Sequence, residues 1–208
     1  MTTEQTVFVV DDEEVVLKSV EAVVKSVEAV VKSLEVQVKT FTSAESFLAS
    51  YSADQPGCLV TDLRMLGMSG IELQEKLVAM GIKIPVIIIT AFADVQIAVR
   101  AMRTGAVTLL EKPCRDQELW EAVRNALELD RSTREEDQRR SDVQSRMGNL
   151  SEGERDVMER MVEGKMNKVI AQELSISIRT VETRRHNVLE KMRADSLADL
   201  VRLVVESE

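Results

Sequence analysis

Four short apolar runs constrain this chain more than any other feature, because each stops on a group that does chemistry. Val7-Phe8-Val9-Val10 ends in Asp11-Asp12, and Leu59-Val60-Thr61 ends in Asp62, with Gly67, Ser69 and Gly70 close behind. Val86-Ile87-Ile88-Ile89 ends in Thr90, and Val107-Thr108-Leu109-Leu110 leads into Glu111-Lys112-Pro113. Runs of this kind read as buried strands, and the segments between them carry helical patterns. Residues 4–128 therefore predict an α/β fold, a doubly wound five-stranded parallel sheet, with strands at 6–10, 37–41, 58–61, 86–89 and 107–110. Ligands of such sheets bind at the carboxyl ends of the strands. If the strands are parallel neighbours, three carboxylates, a hydroxyl and an ammonium converge on one crevice.

That convergence has a chemistry. Carboxylates within a few ångströms of each other repel, and their pKa values rise unless a cation joins them. A hard divalent ion with oxygen ligands suits them, and Mg²⁺ does so with few carboxylates because it keeps several waters. Lys112 supplies a second cation, and Thr90 a hydroxyl for an incoming oxygen. Asp62 is then a nucleophile able to accept a phosphoryl group as an acyl phosphate, with Lys112 and the metal stabilising the equatorial oxygens. Any one of these residues taken singly reads as a solvated strand-end group; the set in this order does not.

Helix signals punctuate the rest of the first 128 residues. Ser43 opens a short helix through Phe47 and Leu48; Gly70–Met80 forms another, stopped by Gly81, and Asp94–Thr104 a fourth, stopped by Gly105. Asp116 is a candidate cap for a fifth, with Trp120 as a packing residue. Residues 129–146 are densely charged with almost no apolar stripe, the composition of a linker, either a solvated helix or a flexible tether. Residues 147–208 form a smaller all-α domain. Ser151, Asn167, Ser177 and Ser196 are its candidate caps. Two short helices joined by a tight turn at Ser175-Ile176-Ser177, the second cationic, match a helix-turn-helix. On that second helix Ile178, Val181, Val188, Leu189 and Met192 are expected to face inward. Glu182, Thr183 and His186 share an outward face. In a major groove Glu182 would accept from cytosine N4 and Thr183 would touch a thymine methyl. Lys168, Arg179, Thr180 and Arg184 suit phosphates. A solvated helix of mixed charge is the competing interpretation.

Composition limits the partners. The net charge of −9 over 208 residues confines any DNA contact to a local basic face. No apolar run approaches the ~20 residues that span a bilayer, and no signal peptide opens the chain. Cys58 and Cys114 lack metal-ligand spacing and suit a reducing compartment. The expected location is the cytoplasm, with no membrane partner.

The segments VFVVDDEE, LVTDLRMLGMSG, VIIITAFADV and AMRTGAVTLLEKP, with the C-terminal helix-turn-helix, resemble a two-component response regulator of the NarL/FixJ type. The resemblance implies a CheY-like receiver over 1–128, a linker over 129–146 and a LuxR-type DNA-binding domain over 147–208. It implies that Asp62 is the phosphoacceptor, that Asp12 ligates Mg²⁺ with help from Asp11, that the Arg64 backbone carbonyl is a further ligand, and that Thr90 and Lys112 sense the phosphoryl group. The expected protein is a transcription regulator rather than an enzyme. Its partners are a sensor histidine kinase as phosphodonor, double-stranded promoter DNA, and a second copy on phosphorylation. A receiver acting as phosphoryl sink or interaction module, with weak or constitutive DNA binding, is the alternative. The chain departs from the family pattern at five positions: Leu66 for proline, Leu109 for an aromatic that swings inward on activation, Cys114 for phenylalanine, Ser175 for the turn glycine and Arg184 for histidine.

The first helix contains a tandem repeat. KSVEAVV occupies Lys18–Val24 and again Lys25–Val31, and KSLEVQV follows as a diverged copy. Seven residues nearly complete two helical turns, with a drift of ~20°, so Val20, Val23, Val27, Val30 and Leu34 stay on one face. The added length, about 10 Å, leads us to expect a helix that overruns the sheet edge and a return loop around Lys32–Val36.

Overall fold

The computed structural model describes residues 5–30, 36–92 and 94–206, apart from the side chains of 26–30. The chain divides into two compact units at Thr133/Arg134.

The first unit is a five-stranded, all-parallel sheet in the order β2-β1-β3-β4-β5. Its strands are β1 Gln5–Val10, β2 Val36–Phe41, β3 Gly57–Asp62, β4 Val86–Thr90 and β5 Thr108–Glu111. Its helices are α1 Glu14–Val30, α2 Ala44–Ser50, α3 Gly70–Ala79, α4 Val95–Arg103 and α5 Asp116–Gly148. Alternating residues along each strand feed two separate cores. Val7, Val9, Val60, Ile87 and Ile89 meet α1 and α5, while Phe8, Val10, Leu59, Val86 and Ile88 meet the α2–α4 side. That two-sided burial is why the strands read as continuous apolar runs. Phe8, Phe41, Phe47 and Tyr51 form an aromatic cluster under α2.

Serine and aspartate caps start the helices where the sequence places them. Ser43 accepts from Ser46 N, Ser69 and Glu72 form a full capping box, and Asp94 accepts from Ile97 N. Asp116 is the first residue of α5, where its carboxylate favours the helix dipole. The α5 helix runs unbroken for 33 residues, so the charged stretch 129–146 is helical rather than a tether. Its first part packs on the sheet through Leu119, Val123 and Leu127, and the Asp130 carboxylate accepts from Gly57 N at 2.8 Å. Residues 32–35 of the expected return loop lie outside the described residues. Val36 does not belong to a loop: it is buried as the first residue of β2, opposite Gln5.

The second unit holds α6 Glu152–Val162, α7 Asn167–Glu173, α8 Ile178–Met192 and α9 Leu197–Glu206 around Val157, Met161, Ile170, Val181, Val188, Met192 and Leu200. Val143 and Met147 of α5 join this core. Ser151, Ser177 and Ser196 act as caps. Two expectations need correction. The backbone of Met166, not Asn167, occupies the cap position of α7, and no side chain caps it. Ile178 lies in the first turn of α8, before the helix reaches the core, and is 47% exposed. Among the described residues no helix is long and apolar enough to cross a membrane.

Candidate phosphoacceptor site and nucleic-acid face

Parallel register brings the strand ends level. Val10 pairs with Thr61, Asp62 with Ile89, and Thr90 with Glu111. The carboxyl ends of β1 and β3 meet where the strand order reverses, the position at which an open α/β sheet leaves a crevice. Asp11 is 2% exposed, Asp62 8% and Thr90 1%. Lys112, just after β5, reaches across. Its Nζ donates to Asp11 Oδ2 at 2.8 Å and to Asp62 Oδ1 at 2.6 Å. Burial alone would depress the lysine's pKa, but the hydrogen bonds and charges of Asp11 and Asp62 outweigh it and hold the ammonium above its ordinary value. Two acids and the lysine ammonium thus share one partly dry site.

The loop between β3 and α3 closes around Asp62. Arg64 N donates to Asp62 Oδ2 at 2.6 Å, Leu66 N to Asp12 Oδ2 at 3.0 Å, and Met68 N to Glu45 Oε1 at 3.3 Å. Gly70 is required here, since a Cβ would lie 2.3 Å from the Asp62 carbonyl oxygen. Asp11 Oδ1 accepts from Glu13 N, so Asp11 also shapes the turn into α1. The Thr90 hydroxyl donates to the Phe92 carbonyl and accepts from Phe92 N, both at 3.2 Å. The Arg64 guanidinium stands 5.6 Å from the centre of the Phe92 ring across the mouth of the site.

The donor chemistry suits a hard cation: Asp11 and Asp62 present oxygens to one shared positive charge, and Asp12 lies exposed beside them. Among the described residues, however, no three acidic, histidine or cysteine side chains already gather as a metal cage. Asp12 is engaged by the loop. Glu45 has no sequence signal for its part in holding that loop; only its place just after the α2 cap could have suggested it.

In the second unit Lys168, Arg179, Glu182, Thr183 and His186 are exposed, and Thr180 is half-buried at the start of α8. The Thr183 hydroxyl donates back to the Arg179 carbonyl at 3.0 Å. Thr180 is tied to the Ser177 cap. Arg184 is placed differently from the rest. It is half-buried, with Nη1 on the Gly153 carbonyl at 3.3 Å, and a Cβ at Gly153 would lie 2.5 Å from its Cζ. Beneath this face lies an ionic node that sequence reasoning missed. Glu154, 5% exposed, accepts from Ser151 N, Lys191 Nζ and Asn187 Nδ2. Only the capping pattern Ser151-x-x-Glu154 pointed towards it.

Residues 7–124 match the family described as response regulator receiver domain, and residues 148–204 match bacterial regulatory proteins, luxR family. The transcriptional regulatory protein FixJ of Rhizobium meliloti (strain 1021) is 44% identical over 98% of this chain and 96% of its own length. Nodulation protein W of Bradyrhizobium diazoefficiens is 41% identical over 97% of this chain and 86% of its own. The low-resolution structure of the response regulator StyR superposes with a TM-score of 0.83 at 39% identity, covering 98% of this chain and 99% of that one. Sheet order, strand-end chemistry and these matches agree: the chain belongs to the two-component response regulators of the NarL/FixJ type, DNA-binding transcription regulators built from a receiver and a luxR-family helix-turn-helix domain.

Proposed function

We propose that Asp62 is the phosphoacceptor through which this regulator is switched. The observation that carries the reading is Lys112 bridging Asp11 and Asp62 at 2.8 and 2.6 Å on the sheet's carboxyl edge. The phosphodonor is a phosphohistidine of a sensor kinase. An Asp62 carboxylate oxygen forms a bond to phosphorus as the P–N bond breaks, and the electron pair stays on the donor imidazole. Lys112 lies where charge builds on the transferred oxygens. Asp11, Asp12, Asp62 and the Arg64 carbonyl would hold Mg²⁺, which when bound neutralises phosphoryl charge. Thr90 then exchanges its neutral bond to the Phe92 carbonyl for a charge-assisted one to the phosphoryl group, a difference of about 1 kcal/mol. That exchange releases the Phe92 peptide and the start of α4, and shifts the receiver between two conformations. Val95, Val99 and Met102 form an exposed apolar stripe on α4. They would meet a second copy in the activated homodimer.

In the second unit α8 enters the major groove of double-stranded promoter DNA. Glu182, Thr183 and His186 face the bases; Lys168, Arg179 and the N-terminus of α8 near Thr180 face phosphates. Arg184 steadies α8 against α6 and reaches a phosphate only by leaving Gly153. This work takes place in the cytoplasm. The test is a mass measurement. Acetyl phosphate with Mg²⁺ should add one phosphoryl group to the chain, and Asp62→Asn should abolish the adduct. An undiminished adduct in that variant would exclude Asp62.

A further inference from the structure

Alternate amides of the β3–α3 loop are tied to three carboxylates, from β3, the β1–α1 connection and α2: Arg64 N to Asp62, Leu66 N to Asp12 and Met68 N to Glu45. The middle tie differs from its neighbours. Lys112 holds Asp11 and Asp62 together, whereas Asp12 accepts from the loop amide of Leu66. The Leu66 side chain is 83% exposed, so little packing fixes this part of the loop and the backbone bond does. A residue that lacks an N–H, as proline does, could not make that bond.

We propose that the Leu66 amide is a latch on Asp12. In the metal-free protein it parks the Asp12 carboxylate on the loop, and Mg²⁺ must displace it to recruit Asp12, so Leu66 sets the metal affinity of the site and couples metal occupancy to the 64–68 loop. The proposal rests on the reading of Asp11, Asp12 and Asp62 as the Mg²⁺ site. A carboxylate oxygen that accepts an N–H has part of its charge engaged, and freeing it costs the net value of that hydrogen bond. For an exposed bond to a charged acceptor this corresponds to about a two- to tenfold change in binding constant.

The experiment is a calorimetric titration of the full chain with MgCl₂ in three forms. Leu66→Pro removes the donor, and Leu66→Ala keeps the donor while removing the side chain. Leu66→Pro should bind Mg²⁺ about two- to tenfold more tightly than the parent, and Leu66→Ala should match the parent. A second measurement needs no variant: the Leu66 amide, followed by ¹⁵N NMR, should lose protection from hydrogen exchange at saturating Mg²⁺. Equal or weaker binding by Leu66→Pro, tightening by Leu66→Ala as well, or a Leu66 amide that stays protected with metal bound would each overturn the latch. If no form bound Mg²⁺ the metal site itself would be wrong, an outcome distinct from binding that ignores residue 66.

Discussion

Replacing Glu154 by glutamine should loosen the helix-turn-helix unit and leave the receiver alone. The carboxylate sits nearly buried between α6 and α8, and its donors are Lys191 Nζ at 2.5 Å, Ser151 N at 2.9 Å and Asn187 Nδ2 at 3.2 Å. The hydrogen bond from Lys191, then that from the Ser151 amide, outweigh burial and lower its pKa from 4.5 to about 2. Because Lys191 is itself 40% exposed, solvent screens the pair and the full shift overstates its worth. Glutamine keeps one oxygen for the capping bond but loses the charge and sets an amide N–H where the second oxygen accepts from Asn187, so we expect a cost of roughly 1–2 kcal/mol. Alanine also removes the cap and the acceptor shared by Lys191 and Asn187, and should cost about 2–3 kcal/mol. For a domain this small, 1 kcal/mol moves the midpoint by about 4–8 °C. The sign with pH follows from a folded pKa below the unfolded one. The charge's contribution is complete above about 4.5 and fades as pH falls towards 2, so parent and Glu154→Gln should converge across that window. The chain's single tryptophan, Trp120, lies in the receiver unit. Its fluorescence reports receiver unfolding, while far-ultraviolet circular dichroism reports both units. A gap between parent and variant that persisted undiminished near pH 2.5, or a shift confined to the fluorescence transition, would refute the reasoning.

Ser175 adopts φ 54° in the turn before α8; Ser175→Gly should raise the stability of the second unit by about 1 kcal/mol, measured by denaturant unfolding. Thr183→Ala should change base preference in a binding-site selection while leaving the salt slope intact, whereas Lys168→Ala should weaken all sequences and reduce that slope by about one. Deleting residues 25–31 should leave the phosphoryl adduct unchanged and keep or raise the receiver's melting temperature; a receiver that no longer folds would show the second heptad to be structural.

The strand ends were legible because a parallel sheet aligns them without help from side chains. Once Val7–Val10, Leu59–Thr61, Val86–Ile89 and Val107–Leu110 are neighbours, the residues that follow must share one edge. The capping serines were legible for an equally local reason, a hydroxyl within reach of the amide three residues on. Long-range choices were not. The continuous α5 has no apolar stripe through its middle. It is held by pairs one turn apart, such as Arg131–Glu128 and Gln138–Asp142, and by packing of its two ends on different cores. Charge density alone cannot separate that from a tether. Arg184 reads as a phosphate ligand because it is cationic and on the second helix of the motif, and its contact with the Gly153 carbonyl carried no signal in the sequence. Its placement depends on Gly153, thirty-one residues away, having no side chain.

The heptad repeat shows the same division between local pattern and three-dimensional need. Its apolar spacing survives duplication, so periodicity alone assigns both copies to one packing face. The described core residues of α1 are Leu17, Val20, Val23 and Val24, all before Lys25. Seventeen helical residues extend about 25 Å at 1.5 Å each, against about 20 Å for the six residues of β1 at 3.3 Å each. α1 is therefore about one turn longer than β1, and its crossover leads back to the edge of the sheet opposite Asp62. A parallel crossover must bring the chain back to that edge to begin β2, and Val36 does begin there, paired with Gln5. The register of β2 is preserved because Val36, Val38 and Phe41 still fit the sheet and its two cores.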